Sequence, residues 1–173
     1  MDTHLVGQSM SEIAAFNQSM AIAEFSVDGL LLNANGNYQS ILGITTGFKA
    51  AKFHHQDFCL TELKDSQAYK TFWNTLCSGT SVSGIVERLK PDGSVCWLEA
   101  TYAPVLNELA EVSQILKIAT DITDRIQAER AQQNNLRMLS LVADASNTAV
   151  IISNADSLIL YVNAGFTHLF GWT

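Results

Sequence analysis

Three groups of side chains have the types and spacing to do chemistry. His54 and His55 are adjacent in FHHQDF (53–58). A neutral imidazole can ligate iron or exchange hydrogen bonds with a ligand, and it can equally sit at the start of a short helix. Adjacent residues of a helix point in different directions, so at most one of the two faces a common pocket. Glu87 and Arg88 occupy consecutive positions of a strand-like run and point to opposite faces. An inward Arg88 is a buried cation that needs an acceptor. Glu99 on the next strand could supply it as a salt bridge, and so could a ligand carbonyl. Trp97, Glu99 and Thr101 alternate and share one face, either a pocket wall or a surface for a partner. Trp73 stands at helical spacing with Tyr69, Phe72 and Leu76, a pattern that serves a core or a pocket-closing helix.

No catalytic constellation accompanies these groups. The sequence has no GxSxG, Walker-type glycine loop, HExxH or usefully spaced carboxylate pair, so no enzymatic activity is expected of it. Cys59, Cys77 and Cys96 lack CxxC spacing, which argues against a disulfide framework or thiolate zinc site and for three buried thiols. A net charge of −7 with no basic run argues against nucleic-acid binding. No apolar run approaches the roughly 20 residues that span a bilayer, and MDTHLVGQSMSEI lacks a signal-peptide pattern, so a cytoplasmic location is expected. The chain is 47% hydrophobic and 16% charged, which is globular.

The elements that must position these residues read as follows. A short helix covers 9–19, with Ser11 as N-cap and Ile13 and Phe16 on one face. Strands at 20–26 and 30–33 flank Asp28-Gly29, a hairpin turn because glycine supplies positive φ. Asn35 opens a helix that Gly43 ends. Irregular short helical turns fill 44–65, and a helix covers 66–79. Strands at 80–90, 94–107 and 110–123 follow, the first two joined through Pro91-Asp92-Gly93. A polar helix, a connector or weak coiled-coil strand, takes 124–145. This is an α+β layout: a five-stranded antiparallel sheet with short helices over one face and a ligand pocket between them.

The sequence also repeats itself. Residues 148–172 laid on 20–44 match Asp156 with Asp28, Leu158 and Leu160 with Leu30 and Leu32, Asn163 with Asn35, Phe166 with Tyr38 and Gly171 with Gly43. A repeat this long indicates tandem domains. The expected organisation is a helical cap at 1–19, a domain at 20–123, a helical linker at 124–145 and, at 146–173, the first part of a second copy. The chain then reads as a fragment of a longer protein.

The segments FSVDGLLLNANGNYQSILG, FHHQDF, YKTFWNTLCSG, SGIVERLKPDGSVCWLEATYAPV and ILKIATDIT resemble PAS domains, small sensory modules that precede signalling outputs. The resemblance covers 20–123 well and 147–173 in part. The WLEATYAPV and HHxxF segments are similar to bacterial chemoreceptor PAS domains, and several positions are similar to PAS domains that hold FAD. The resemblance implies non-covalent FAD sensing redox state or oxygen, with contacts from Trp73, His55, Arg88, Asn35, His54, Phe58, Leu76, Glu99 and Thr101. Arg88 departs from the asparagine of those flavoproteins: an amide can donate and accept at the ring edge, a guanidinium only donates. Haem b, held by His54 or His55, is the alternative cofactor. A cofactor-free dimerisation module is the third reading. The resemblance further implies a homodimer through the N-terminal helix and sheet, and a C-terminal signalling helix leaving from Asp121-Ile122-Thr123. The residues do not identify the downstream output; the resemblance leaves a diguanylate cyclase or phosphodiesterase, a histidine kinase and a chemoreceptor open.

Overall fold

The computed structural model describes residues 14–45, 49–145 and 148–171. The expected start of the first helix, with Ser11 and Ile13, lies outside them; residues 14–19 are helical (α1). The chain divides into two compact units, Met1–Thr123 and Asp124–Thr173.

In the first unit the elements run β1 (Ala21–Ser26), β2 (Leu31–Ala34), α2 (Gly36–Leu42), short 3₁₀ turns at Ala50–Lys52 and His55–Phe58, α3 (Thr61–Lys64), α4 (Gln67–Cys77), β3 (Val82–Leu89), β4 (Val95–Leu106) and β5 (Val112–Asp121). The antiparallel sheet has the order β2-β1-β5-β4-β3. Period-two alternation assigns the faces. Ala21, Ala23 and Phe25 on β1, Cys96, Leu98, Ala100 and Tyr102 on β4, and Ile115, Lys117 and Ala119 on β5 are buried. Tyr38 and Leu42 of α2, Phe58, and Leu76 of α4 close over that face and complete the core.

The turn between β1 and β2 needs glycine for two reasons. Gly29 has φ +93, and a Cβ there would meet the His54 ring at 2.6 Å. The chain can therefore bring His54 and His55 against the hairpin. The His55 N–H donates to the Gly29 carbonyl (2.8 Å), and the Leu31 N–H to that of Phe53 (2.9 Å).

The second unit holds α5 (Thr123–Ala145, beginning one residue earlier), β6 (Ile151–Ser153), β7 (Ile159–Val162) and α6 (Ala164–Phe170). β6 and β7 form a two-stranded antiparallel sheet. Of the three thiols expected to be buried, Cys59 and Cys96 are; Cys77, the last residue of α4, is exposed, with its Sγ 3.5 Å from the Val27 carbonyl.

Candidate functional site

His55 is the centre of the first unit's core. It follows the N-cap of a 3₁₀ turn, and its ring is wholly buried. Tyr69, Phe72, Trp73, Tyr102 and Phe25 surround it at centroid distances of 5.4 to 5.7 Å. Its Nδ1 lies 3.0 Å from the Tyr69 hydroxyl and its Nε2 3.1 Å from that of Tyr102. Arg88 Nη2 stands 3.3 Å from the same Nε2 and donates to the Tyr102 oxygen at 2.8 Å.

Arginine only donates, so Nε2 must be the bare nitrogen. The network then closes one way: Nδ1–H donates to Tyr69, the Tyr102 O–H donates to Nε2, and Arg88 donates to the Tyr102 oxygen. Burial, then the nearby Arg88 and Lys117 charges, hold the His55 pKa well below its ordinary 6.5, so the imidazole is neutral.

Two cations share this interior, Arg88 and the fully buried Lys117. Lys117 Nζ lies 3.5 Å from the Tyr38 hydroxyl and over the Tyr38 and Tyr102 rings at 5.2 and 5.0 Å. Burial lowers the Lys117 pKa. Burial pushes the Tyr102 phenol up, but Lys117 and Arg88 outweigh it and hold the phenol below its ordinary value. Among the described residues no carboxylate is buried with these cations.

Among the described residues, two buried donors are left over, Arg88 Nε and Trp73 Nε1. Burial raises the Tyr69 phenol; the Trp73 N–H opposes that rise without completing a hydrogen bond. Beside Arg88 is a cavity of about 150 Å³ lined by His55, Leu63, Ala68, Tyr69, Phe72, Val86 and Arg88; Trp73 packs on His55 but does not line it.

Of the residues expected at the site, the structure brings His55, Trp73 and Arg88 together. Phe58 and Leu76 are buried in the adjoining core but do not line the cavity. Four others lie elsewhere. Glu99 and Thr101 are exposed on the outer sheet face, because the alternation that turns Leu98, Ala100 and Tyr102 inward turns them out. The expected Arg88–Glu99 salt bridge is excluded by the same parity; Arg88 instead donates to the Glu87 carbonyl (2.7 Å), Tyr102 and His55. His54 is a cap: Nδ1 accepts from the Gln56 N–H, and Nε2–H donates to the Asp28 carbonyl. Asn35 caps α2 and ties it to β1, accepting from the Tyr38 and Ile22 N–H groups at 3.0 Å.

Tyr69, Phe72, Tyr102 and Lys117 were not expected as site residues. Their signals were present. Lys117 interrupts the apolar run QILKIAT, Tyr102 has the inward parity of Leu98 and Ala100, and Tyr69 and Phe72 share the helix stripe of Trp73.

The first unit is thus a five-stranded antiparallel sheet with short helices closing one face over a largely apolar cavity that Arg88 and His55 border. The PAS fold family matches residues 31–119, and a second PAS domain match covers 137–173. The chain belongs to the PAS family of sensory domains, and part of a second PAS domain follows the first. It is 30% identical over 164 residues to the biofilm dispersion protein BdlA of Pseudomonas aeruginosa, covering 92% of this chain and 39% of that protein. The chain thus spans about two fifths of the length of this relative.

Among solved structures, an RNA-binding light-oxygen-voltage receptor aligns with a TM-score of 0.61 at 19% identity, covering 79% of this chain and 39% of that one. A light-oxygen-voltage domain studied with a flavin analogue aligns at 0.53 and 15% identity, covering 72% and 95%. At these identities the likeness shows the fold alone.

Proposed function

We propose that the module senses redox state or oxygen through non-covalently bound FAD and relays the state through α5 to a downstream signalling domain. The observation that carries this is the pair of unpartnered buried donors, Arg88 Nε and Trp73 Nε1, among aromatic walls and two cations. A flavin ring presents carbonyl and imine acceptors to such donors. Two light-oxygen-voltage proteins among the fold neighbours, one named with a flavin analogue, support the same reading. Of the two donors, Arg88 borders the cavity, where its Nε–H would meet a ring carbonyl. A cavity of 150 Å³ is below the roughly 300 Å³ at which cofactor sites begin, so entry requires the Phe72 and Tyr69 side chains on α4 to swing aside.

FAD, when bound, supplies a reducible ring whose charge and protonation change with redox state. The protein's own part is electrostatic. Arg88 and Lys117 favour negative charge in the pocket, and neutral His55 holds the Tyr102 proton in place. Lys117 also links the pocket to β5, whose end carries the exit to α5. There the Ile122 N–H donates to the Trp97 carbonyl (2.8 Å) and the Trp97 N–H to Thr123 Oγ1 (3.0 Å), a latch that a shift of β5 would loosen.

The haem alternative is disfavoured by the histidines themselves. Both ring nitrogens of His55 are engaged by tyrosines and both of His54 by backbone groups. Homodimerisation through the sheet is proposed alongside, since Ile85 is half exposed on the outer face that also carries Trp97. No helix among the described residues is long and apolar enough to cross a membrane, and the proposed location is cytoplasmic.

The test is the absorption spectrum of the purified protein. The two-banded spectrum of oxidised flavin, with a released fluorophore that brightens on phosphodiesterase cleavage to FMN, is expected. A single intense Soret band would replace FAD by haem. A protein colourless after incubation with both would leave a cofactor-free dimerisation module.

A further inference from the structure

The interior of the first unit carries an uncompensated charge. Arg88 and Lys117 are buried, His55 is neutral, and no buried carboxylate accompanies them among the described residues. Burying a cation without a counter-ion is costly, and a buried donor with no partner adds to that cost. Arg88 lines the cavity; its Nη1 donates to the Glu87 carbonyl, its Nη2 faces Tyr102 and His55, and its buried Nε–H is unpaired. The other walls are Leu63, Ala68, Tyr69, Phe72 and Val86, which are apolar or aromatic. A cavity of about 150 Å³ accommodates one benzene-sized ring.

We propose that this pocket is a receptor for a small organic carboxylate with an apolar or single-ring body, its carboxylate accepting from Arg88 Nε and its body held between Tyr69, Phe72 and Val86. This rests on the pocket being the sensory site but not on FAD being its ligand; the carboxylate and a larger ring compete for the same space. The carboxylate supplies the charge the core lacks. It touches Arg88, whose Tyr102 contact leads to Lys117 on β5, so it reaches the proposed relay without entering the sheet.

The experiment is isothermal titration of sodium benzoate into the full chain, purified free of any chromophore, with benzamide as the neutral isostere. Benzoate is expected to bind saturably and raise Tm. Benzamide should bind about tenfold or more weakly, since it gives up a charge-assisted hydrogen bond. Arg88→Leu should lose the benzoate preference. Val86→Phe, which fills the cavity and keeps the arginine, should abolish binding even if Arg88→Leu fails to fold. Equal binding of benzamide, undiminished binding to V86F, or no saturable heat with benzoate would each overturn the proposal. Absence of flavin absorption sinks the FAD reading alone; absence of benzoate binding sinks this one alone.

Discussion

Residues 20–44 and 148–171 build the same object twice, and it meets two fates. In the first copy Asn35 Oδ1 accepts from Ile22 and Tyr38, and its amide donates to the Met20 carbonyl. In the second, Asn163 Oδ1 accepts from Val150 and Phe166, and its amide donates to the Thr148 carbonyl. Each asparagine caps a helix of 7 residues that ends on a left-handed glycine at φ 69, Gly43 or Gly171. Burial differs. Leu31 and Leu42 are fully buried, while their counterparts Ile159 and Phe170 are 60% and 55% exposed. In the first copy β1 pairs with β5 as well as β2, and β4 and α4 complete the core. A few polar residues specify the hairpin-and-helix locally. The apolar residues acquire meaning only from strands far away in sequence.

The turn residue should separate the copies most. Gly29 at φ +93 corresponds to Ser157 at φ +64. Gly29→Ser should cost roughly 3 kcal/mol in a denaturant melt of the first unit, through left-handed strain and the collision with His54. Ser157→Gly should gain about 1 kcal/mol in the second unit. Equal responses at the two turns would break the comparison.

Asn35→Ala should cost about 2 kcal/mol, from a lost cap and an unpaired Ile22 N–H. Asn163→Ala should leave the first unit's transition unmoved and speed amide exchange only at Val150 and Phe166.

Lys117 and His55 belong to the completed core, and the second copy has nothing to compare with them. Lys117→Met should stabilise the first unit by about 1 kcal/mol or more at neutral pH, because it removes a buried unpaired cation of similar volume.

His55 has a folded pKa below its unfolded 6.5, so the unfolded chain takes up the proton first. Its contribution is fully present above pH 6.5 and is lost as pH falls toward the folded pKa. Melts of the wild type and His55→Gln should therefore converge in acid. The smallest effect is expected at the outer face: Glu99→Gln should change stability by less than about 0.5 kcal/mol and leave the absorption spectrum unaltered.

Much of this was legible in the sequence. Asp28-Gly29, Asn35 and Gly43 announced the hairpin, cap and helix end, since turn chemistry is local. The apolar stripe of α4 was also readable, and so was the opposition of Glu87 and Arg88 across their strand, though not which of the two faces inward. What was hidden is absolute strand parity. The face shared by Trp97, Glu99 and Thr101 was identified, but only the packing of Leu98, Ala100 and Tyr102 under α4 shows it to be the outer one. Lys117 was passed over because a lysine in a strand normally points to water, and its burial depends on Tyr38, far away in sequence. The histidine pair was ambiguous for a similar reason: Gly29 decides which ring caps the turn and which enters the core.

The central claim is that the state of the His55 pocket reaches the exit at Asp121–Thr123. Amide exchange at Trp97, Ile122 and Thr123 in FAD-loaded protein, oxidised against chemically reduced, tests it most directly. The account predicts that reduction of the ring changes protection at these amides together, through β5. A ring that is fully reduced while all three amides exchange at unchanged rates would contradict it.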